Sequence, residues 1–342
     1  MEISILNTDF ETVVIIDFYK SLIWTKRYYT PGDFELYIPA NTDILPYLKQ
    51  DYYVMRDDDD TVMIIEKIEI QTDVENGDYY IITGQSLESI LSRRIVWAQT
   101  QLSGNVVSEI YKVLNSNIGS GALSYRKLSN FICATPALAV TETLEMQTTG
   151  DDLQSIVTEI AQQYGLGWRI RLNENNQFVF EMYKGDKVDA YFSPEFDNLI
   201  TSDYVSDKTN YKNAAKIFGE GEGKARTAVA IGQNMTGLSR RELFVDARDI
   251  SSNEGEISTT AYNAQLVARG REKLQECIST RSFSGNVEPS MTFKYKTDYD
   301  LGDIVGVENQ YGVTAEPRII EIIENWDDTG HKVVPTFEEW EV

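Results

Sequence analysis

The sequence has 342 residues, 42% of them hydrophobic and 25% charged, which is more chain than one core usually fills, so two or three compact units are expected. Acidic residues outnumber basic ones 54 to 31, and the resulting net charge of -23 repels phosphate, which argues against a nucleic-acid-reading role. There is no run of 18 apolar residues, and the start MEISILNTDF has neither a basic stretch nor an apolar core, so neither membrane insertion nor Sec export is expected.

Up to about residue 95 the chain reads as six short strands: 13–18, 22–29, 34–38, 52–56, 62–70 and 79–85. Phe34, Leu36 and Ile38 alternate with Glu35 and Tyr37, the period of a strand with one buried face. Pro31-Gly32-Asp33 turns the chain before that strand, and Pro39 ends it. Six strands at this spacing curl into a barrel or a sandwich more economically than they lie flat. Ser86 then caps a short helix with Leu87, Ile90 and Leu91 on one face.

A second helix is expected from Val106 to Asn115, followed by a polar loop to Gly121 and a stretch to Gln147 without a clear period. The clearest helix spans Asp151 to Tyr164. Its stripe is Leu153, Ile156, Val157, Ile160, Ala161 and Tyr164, with acids at its start and Gly165 placed to end it in a left-handed turn. A hairpin follows, with Trp168, Ile170 and Leu172 alternating on one arm and Phe178, Phe180 and Met182 on the other. Further strands are read at 199–204 and 214–218, a helix at 258–277, and strands at 291–295, 303–307, 318–326 and 332–337. The fold class is therefore mainly β with an α+β insertion, the insertion being a small helix-and-hairpin domain. The chain contains no exact repeat.

Few residues suggest chemistry. His331 is the only histidine, which rules out a multi-histidine metal site; it reads as an exposed turn residue. The run 219–224, GEGEGK, is one residue short of a phosphate loop, has Ala225 where Ser or Thr is needed, and carries two glutamates; it reads as a glycine-rich turn between strands. Asp57 to Asp60 lacks the alternation, central Gly and terminal Glu of a calcium loop and reads as a solvated hairpin tip. The pairs Tyr28-Tyr29, Tyr52-Tyr53 and Tyr79-Tyr80 place consecutive rings on opposite strand faces, which favours core plus interface over a sugar-stacking platform. Cys133 and Cys277 read as two buried free thiols. No catalytic, cofactor-binding or metal-binding residue is assigned, and no cofactor is expected.

Several phrases, in order along the chain, resemble the siphovirus-type tail-hub family of phages and prophages. They are TPGDFELYIPA at 30–40, GQSLESILSRRI at 84–95, GLGWRIRL at 165–172, FSPEFDNLITSDYVSDKTNYKNAAKIFGEGEG at 192–223, YDLGDIVGVENQYG at 299–312 and RIIEIIENW at 318–326. The resemblance implies a non-enzymatic structural subunit with two tube-like β-barrel domains, three copies forming a ring at the tail tip. That homotrimer would join a distal-tail or tube ring to a spike, fibre or receptor-binding protein, pass phage DNA only as cargo, and assemble in the host cytoplasm. On this reading residues 1–95 form the first barrel, 96–195 the insertion, 196–235 a return segment completing the first barrel, and 236–342 the second barrel with one helix. Longer relatives continue into a lytic region, which is not expected here because the chain ends at Val342. A peptidoglycan hydrolase or a cell-wall carbohydrate-binding tail component is the competing reading. The acidic balance suits a lumen that does not hold DNA, and equally suits plain solubility.

Overall fold

Alternating apolar and polar residues dominate the first 86 positions, and the structure converts them into seven strands. These are β1 (Ile3–Leu6), β2 (Thr12–Ile16), β3 (Ser21–Arg27), β4 (Asp33–Pro39), β5 (Tyr53–Arg56), β6 (Val62–Gln71) and β7 (Tyr79–Ser86). The computed structural model describes residues 1–74, 77–134, 138–199, 201–284 and 292–341. A 3-10 helix, Leu87–Arg93, leads into β8 (Thr100–Asn105), α1 (Val106–Asn117), β9 (Phe131–Cys133), β10 (Thr143–Thr148), α2 (Leu153–Tyr164), β11 (Gly167–Leu172) and β12 (Phe178–Tyr183). Next come β13 (Lys187–Phe192), β14 (Asp203–Asp207), β15 (Ala214–Phe218), β16 (Ala228–Ile231), β17 (Glu242–Asp246) and α3 (Thr259–Gln275). The chain closes with β18 (Thr280–Ser284), β19 (Ile304–Glu308), β20 (Thr314–Ala315), β21 (Ile319–Asp327), β22 (Gly330–Phe337) and β23 (Trp340–Glu341).

The largest sheet has nine strands in the order β2-β1-β5-β6-β7-β4-β3-β21-β22. Its first seven members come from the start of the chain and its last two from the end, so the outer edge of β3 is covered by a strand almost 300 residues away, with Trp24 opposite Glu324. One face of this sheet buries Ile3, Ile5, Leu22, Trp24, Phe34, Leu36, Ile38, Val54, Met63, Ile65, Tyr80 and Ile82 in a single cluster. On β6 the alternate residues Val62 and Ile64 face the other way, into the core of the helix-and-hairpin unit. That explains why β6 opens with the unbroken apolar run VMII: both of its faces are buried there.

The sheet is strongly curled. β5 stands third and β21 eighth, five strand spacings apart, which is ~24 Å in a flat sheet. Yet Arg56 on β5 donates from Nη1 to Glu324 Oε2 on β21 at 2.9 Å. The guanidinium lies between two indoles, 4.1 Å from the Trp326 ring centroid and 5.4 Å from that of Trp24, and its side chain is 0% exposed. Among the described residues no pairing joins β2 to β22, so this sheet is curled but not closed by hydrogen bonds, and none of the smaller sheets closes either. The mainly β class stands, but two closed barrels are not seen.

α1, α2 and the β11-β12 hairpin form the insertion core with Trp168, Phe180 and Leu153. α2 ends as its sequence prescribes: Asp152 accepts from the Ser155 N–H at 2.9 Å, and Gly165 terminates it at φ 63°. Ser86 does not cap the helix after it; its Oγ accepts from the Gly32 N–H at 2.8 Å. Gly32 is needed there because a Cβ would overlap the Thr25 carbonyl. Strand-like sequence at 199–204 becomes β14 only from Asp203, and Ile200 lies outside the described residues. The strand expected at 291–295 does not form over 292–295, where Tyr295 makes an isolated bridge to Tyr299; Met291 lies outside the described residues.

The segment 196–235, expected to complete the first sheet, pairs elsewhere. β15 and β16 combine with β17 and pack against α3 around Ile217, Val245, Tyr262 and Leu266. Gly270 allows that close approach, since a Cβ would overlap the Ile217 side chain. β13 pairs with β19, and β14 with β18, around Phe192, Phe283, Val305 and Phe337.

Two predictions follow from this packing. Arg56→Ala leaves Glu324 buried without its guanidinium and should destabilise the chain by about 3–5 kcal/mol in urea unfolding; a loss under 1 kcal/mol would mean that the pair does not hold the curl. The second concerns α2 and α3, where Glu159 and Glu272 share a hydrogen bond beside Arg269 and Lys273. Burial, reinforced by Glu272, raises the Glu159 carboxyl from its ordinary 4.5 to about 7. The folded state therefore keeps a proton that the unfolded chain gives up. This contribution is complete below pH 4.5 and is lost as pH rises through about 7. Glu159→Gln should flatten that slope and raise stability at pH 8 by on the order of 1 kcal/mol after allowance for solvent screening; an unchanged pH profile of thermal unfolding would contradict it.

Candidate functional site

Asp57 to Asp60 forms the expected hairpin turn between β5 and β6, with Asp57, Asp58 and Asp60 exposed as a solvated tip and the Asp59 side chain turned inward. The Asp59 side chain is 1% exposed and receives two lysines, Lys26 of β3 and Lys296 of the C-terminal part, each with Nζ 2.7 Å from Oδ2. Its Oδ1 accepts from the Thr61 N–H at 2.8 Å. Burial alone would raise this carboxyl, but Lys26, with Lys296 and Thr61, more than offsets it and holds the group well below the usual carboxylate range. Asp58 takes both Arg56 Nε and Nη2, at 2.8 and 2.9 Å, and Asp60 meets Arg171 Nη1 of β11 at 3.0 Å. Arg56 is next to the acidic run in sequence, but Lys26, Lys296 and Arg171 arrive from three distant segments and leave no sign in the local sequence.

The turn forms one wall of a cleft of about 540 Å³ where the curled sheet, the insertion and the 296–303 segment meet. Arg169, Arg171 and Lys184 line it from the hairpin, and Asp300 and Asp303 from the last part of the chain. Arg169 and Arg171 alternate with Trp168 and Ile170, so the pleat that buries the apolar pair turns the cations outward. Arg169 lies 4.7 Å from the Tyr183 ring centroid and 2.5 Å from Glu181. Glu88, on the 3-10 helix, lies at the cleft floor: one oxygen accepts from the Ile170 N–H at 3.0 Å and Oε2 is buried without a hydrogen-bond partner. Burial raises its carboxyl above the ordinary value, against the lowering effect of its hydrogen bonds. Sequence reading did not single out Glu88; its only signal was a lone acid beside Leu87 in a buried helical turn. Most of the cleft's charges are already committed to partners, so its chemistry is that of a clamp between units.

The other singled-out residues lie apart from the cleft. His331 opens β22, stacks on Trp326 with centroids 4.2 Å apart, and has Nε2 3.4 Å from Glu324 Oε1. It is half-covered by that stack and belongs to the Arg56 cluster. The glycine-rich run connects β15 to β16 as expected, and the Glu220 carboxylate accepts from the Ser252 N–H at 2.9 Å. Tyr52 and Tyr53 pack into opposite cores, and Tyr80 is buried while Tyr79 stacks on Tyr37 at 4.5 Å. Tyr28 and Tyr29 follow the end of β3 and are both buried in the insertion core, an exception to the alternation. Cys133 and Cys277 are free and half-buried, and burial pushes the Cys133 thiol up to about 11. Among the described residues no cluster of three or more His, Cys, Asp or Glu is placed to hold a metal ion, and no helix is long and apolar enough to cross a membrane.

Asp59→Asn should leave Lys26 and Lys296 facing each other across an uncharged amide and cost about 3 kcal/mol near neutral pH. Because the folded carboxyl is depressed, its contribution is present above the ordinary carboxyl range and is lost as pH falls below it. The variant should therefore show a shallower acid limb in pH-dependent unfolding; a wild-type limb would mean that the bridge does not contribute.

The model of the siphovirus ReqiPepy6 Gp37-like protein family matches residues 2–337. No curated protein matches the chain. Among solved structures it is similar to the 43 kDa tail protein of prophage MuSo2 from Shewanella oneidensis, with TM-score 0.57, 14% identity, and coverage of 99% of this chain and 98% of that one. It is likewise similar to prophage tail protein gp18 from Listeria monocytogenes, with TM-score 0.55, 12% identity and coverage of 98% and 94%. A chain of the Francisella PdpA–VgrG complex gives TM-score 0.52 at 11% identity over 99% of this chain and about half, 52%, of that one. At such identities these likenesses speak to the fold. The family match runs through both ends of the curled sheet and everything between them, and the chain belongs to the siphovirus ReqiPepy6 Gp37-like protein family.

Proposed function

We propose that the chain is a structural tail-tip hub subunit that assembles as a homotrimeric ring and joins a tube or distal-tail ring to a spike, fibre or receptor-binding protein. The observation that carries this reading is the match to a siphovirus family over residues 2–337, together with a prophage tail-protein fold spanning nearly all of both chains. The strongly curled sheet supports a tube-like unit, and the complex containing VgrG supports a spike-like partner. DNA would pass only as cargo, with the net charge of -23 keeping phosphate mobile, and no catalytic step is assigned to the cleft.

The sheet's two edges differ in a way that fits ring formation. β22 carries Lys332 and Pro335, residues that blunt an edge. β2 has neither, its only partner among the described residues is β1, and Ile15 and Phe18 are exposed on and just beyond it. Such an edge is suited to be covered by a neighbouring subunit.

Light scattering on the purified chain should report a trimer of the 38.9 kDa subunit, and micrographs of assembled tails a ring at the tip. Ile15→Lys should weaken that trimer by about 1–2 kcal/mol. A protein that remains monomeric at high concentration, in tails that show no ring, would remove the reading.

A further inference from the structure

Residues 208–279 form a unit with a core of its own. Among the described residues its sheet, β16-β15-β17, takes no strand from elsewhere, and its apolar cluster draws only on residues between Ala215 and Leu274. The chain enters and leaves this unit side by side. β14 and β18 pair antiparallel up to Asp207 opposite Thr280, and just beyond them the Lys212 N–H donates to the Cys277 carbonyl at 2.8 Å. Between β14 and that bond, Lys208, Thr209 and Asn210 are all exposed. Two adjacent connections to a separately cored unit are the geometry of a hinge.

A polar face of α3, packed on β10, holds the unit against the insertion. Gln265 Nε2 donates to Gln101 Oε1 of β8 at 3.0 Å, and Gln99 Nε2 to Asn253 Oδ1 at 3.3 Å. The fit is incomplete: the side-chain oxygens of Gln147, Asn263 and Gln265 are buried without a hydrogen-bond partner, each a cost that undocking would relieve. Beside them runs a groove of about 510 Å³ between β10, α2 and α3. Here the Glu159 carboxyl of α2 shares a hydrogen bond with the Glu272 carboxyl of α3. Arg269 and Lys273 both pair with Glu272, which leaves Glu159 as the holder of the proton. Of the other titratable and charged groups, Arg271 of α3, Glu145 of β10 and Tyr164 of α2 line the same groove, while Asp249 pairs with Arg269 and Glu276 with Lys273. Two carboxyls that meet at a half-buried junction repel each other once the proton between them is lost.

We propose that residues 208–279 are a hinged unit, latched to the insertion by the proton that Glu159 and Glu272 share and released on the β14-β18 ribbon when that proton leaves. The docked state binds a proton that the undocked state gives up, so docking is strongest in acid and weakens as pH rises through about 7. Above that pH two carboxylates lie together in an interface that already leaves three acceptors unpaired. Arg269 and Lys273 offset them only in part, being shared with Asp249 and Glu276. Release returns both acids to water, while the unit keeps its sheet, its helix and its core. The latch is independent of the hub reading.

Hydrogen exchange of the full chain, followed by mass spectrometry at about pH 6 and about pH 8.5 and corrected for the intrinsic rate at each pH, tests the latch. In wild type, exchange should quicken about fivefold at the higher pH in β8, β10 and the first turns of α3. The nine-stranded sheet, the β11-β12 hairpin and the strands β15, β16 and β17 should not change, because the unit moves as a whole. Glu159→Gln keeps a neutral donor that does not titrate, and should hold β8, β10 and α3 at the slow rate at both pH values. Wild type is decisive by itself: equal corrected rates in these segments at the two pH values overturn the proposal. A quickening that spreads through every segment also overturns it, since that is global unfolding rather than release of one unit. So does a variant that keeps the wild-type pH response.

Discussion

A guanidinium held between two indoles ties the start of this chain to its end. Arg56 reaches Glu324 across the inside of a nine-stranded sheet, with Trp24 on one side and Trp326 on the other. Five strand spacings separate the two backbones along the sheet, so the contact exists only because the sheet curls through most of a turn. A buried ion pair contributes little net stability compared with a well-packed apolar substitute. Its value is directional: the fork of Arg56 fits one placement of β21, whereas an apolar pair would tolerate several.

The same curl builds the cleft. Once β5 turns inward toward β21, the turn that follows it is carried over the end of β3, and Asp59 meets Lys26 and Lys296. Asp60 meets Arg171 of the insertion hairpin from the same turn. One four-residue acidic run thereby contacts three separate parts of the chain. The cleft between those parts is polar yet largely self-neutralising, a junction that fixes relative orientation. The α2–α3 contact differs in kind, because there two carboxyls share a site and the tie depends on a proton.

Elements whose determinants lie close in sequence were legible. α2 carries its own cap, stripe and left-handed glycine within fifteen residues, and β4 carries its own turn and alternation. β1, β8, β9, β10, β13, β16, β17, β18, β20 and β23 were not recognised. Most are short or polar, with burial that depends on partners such as α3 packing over β10, and β15 lying between β16 and β17. Partnership itself was the larger gap: RIIEIIENW shows its strand period plainly, but nothing within it says that it will pair with β3 rather than with a neighbour. The cleft failed for the same reason. Four consecutive aspartates look alike until Lys26 and Lys296 are placed beside Asp59, and those lysines stand 33 and 237 residues away from it.

Both ends of the chain are joined in one sheet: β3 and β21 pair antiparallel, with Leu22 opposite Trp326 and Arg27 opposite Glu321, and the Arg56 and Asp59 ties add side-chain contacts between the two parts. Between those ends the insertion is anchored by the β6 face and by Trp168, whose Nε1 donates to the Tyr29 carbonyl at 2.6 Å. The insertion and the curled sheet are thus tied through β6, whose two faces are buried in two different cores, so the placement of one follows from the placement of the other.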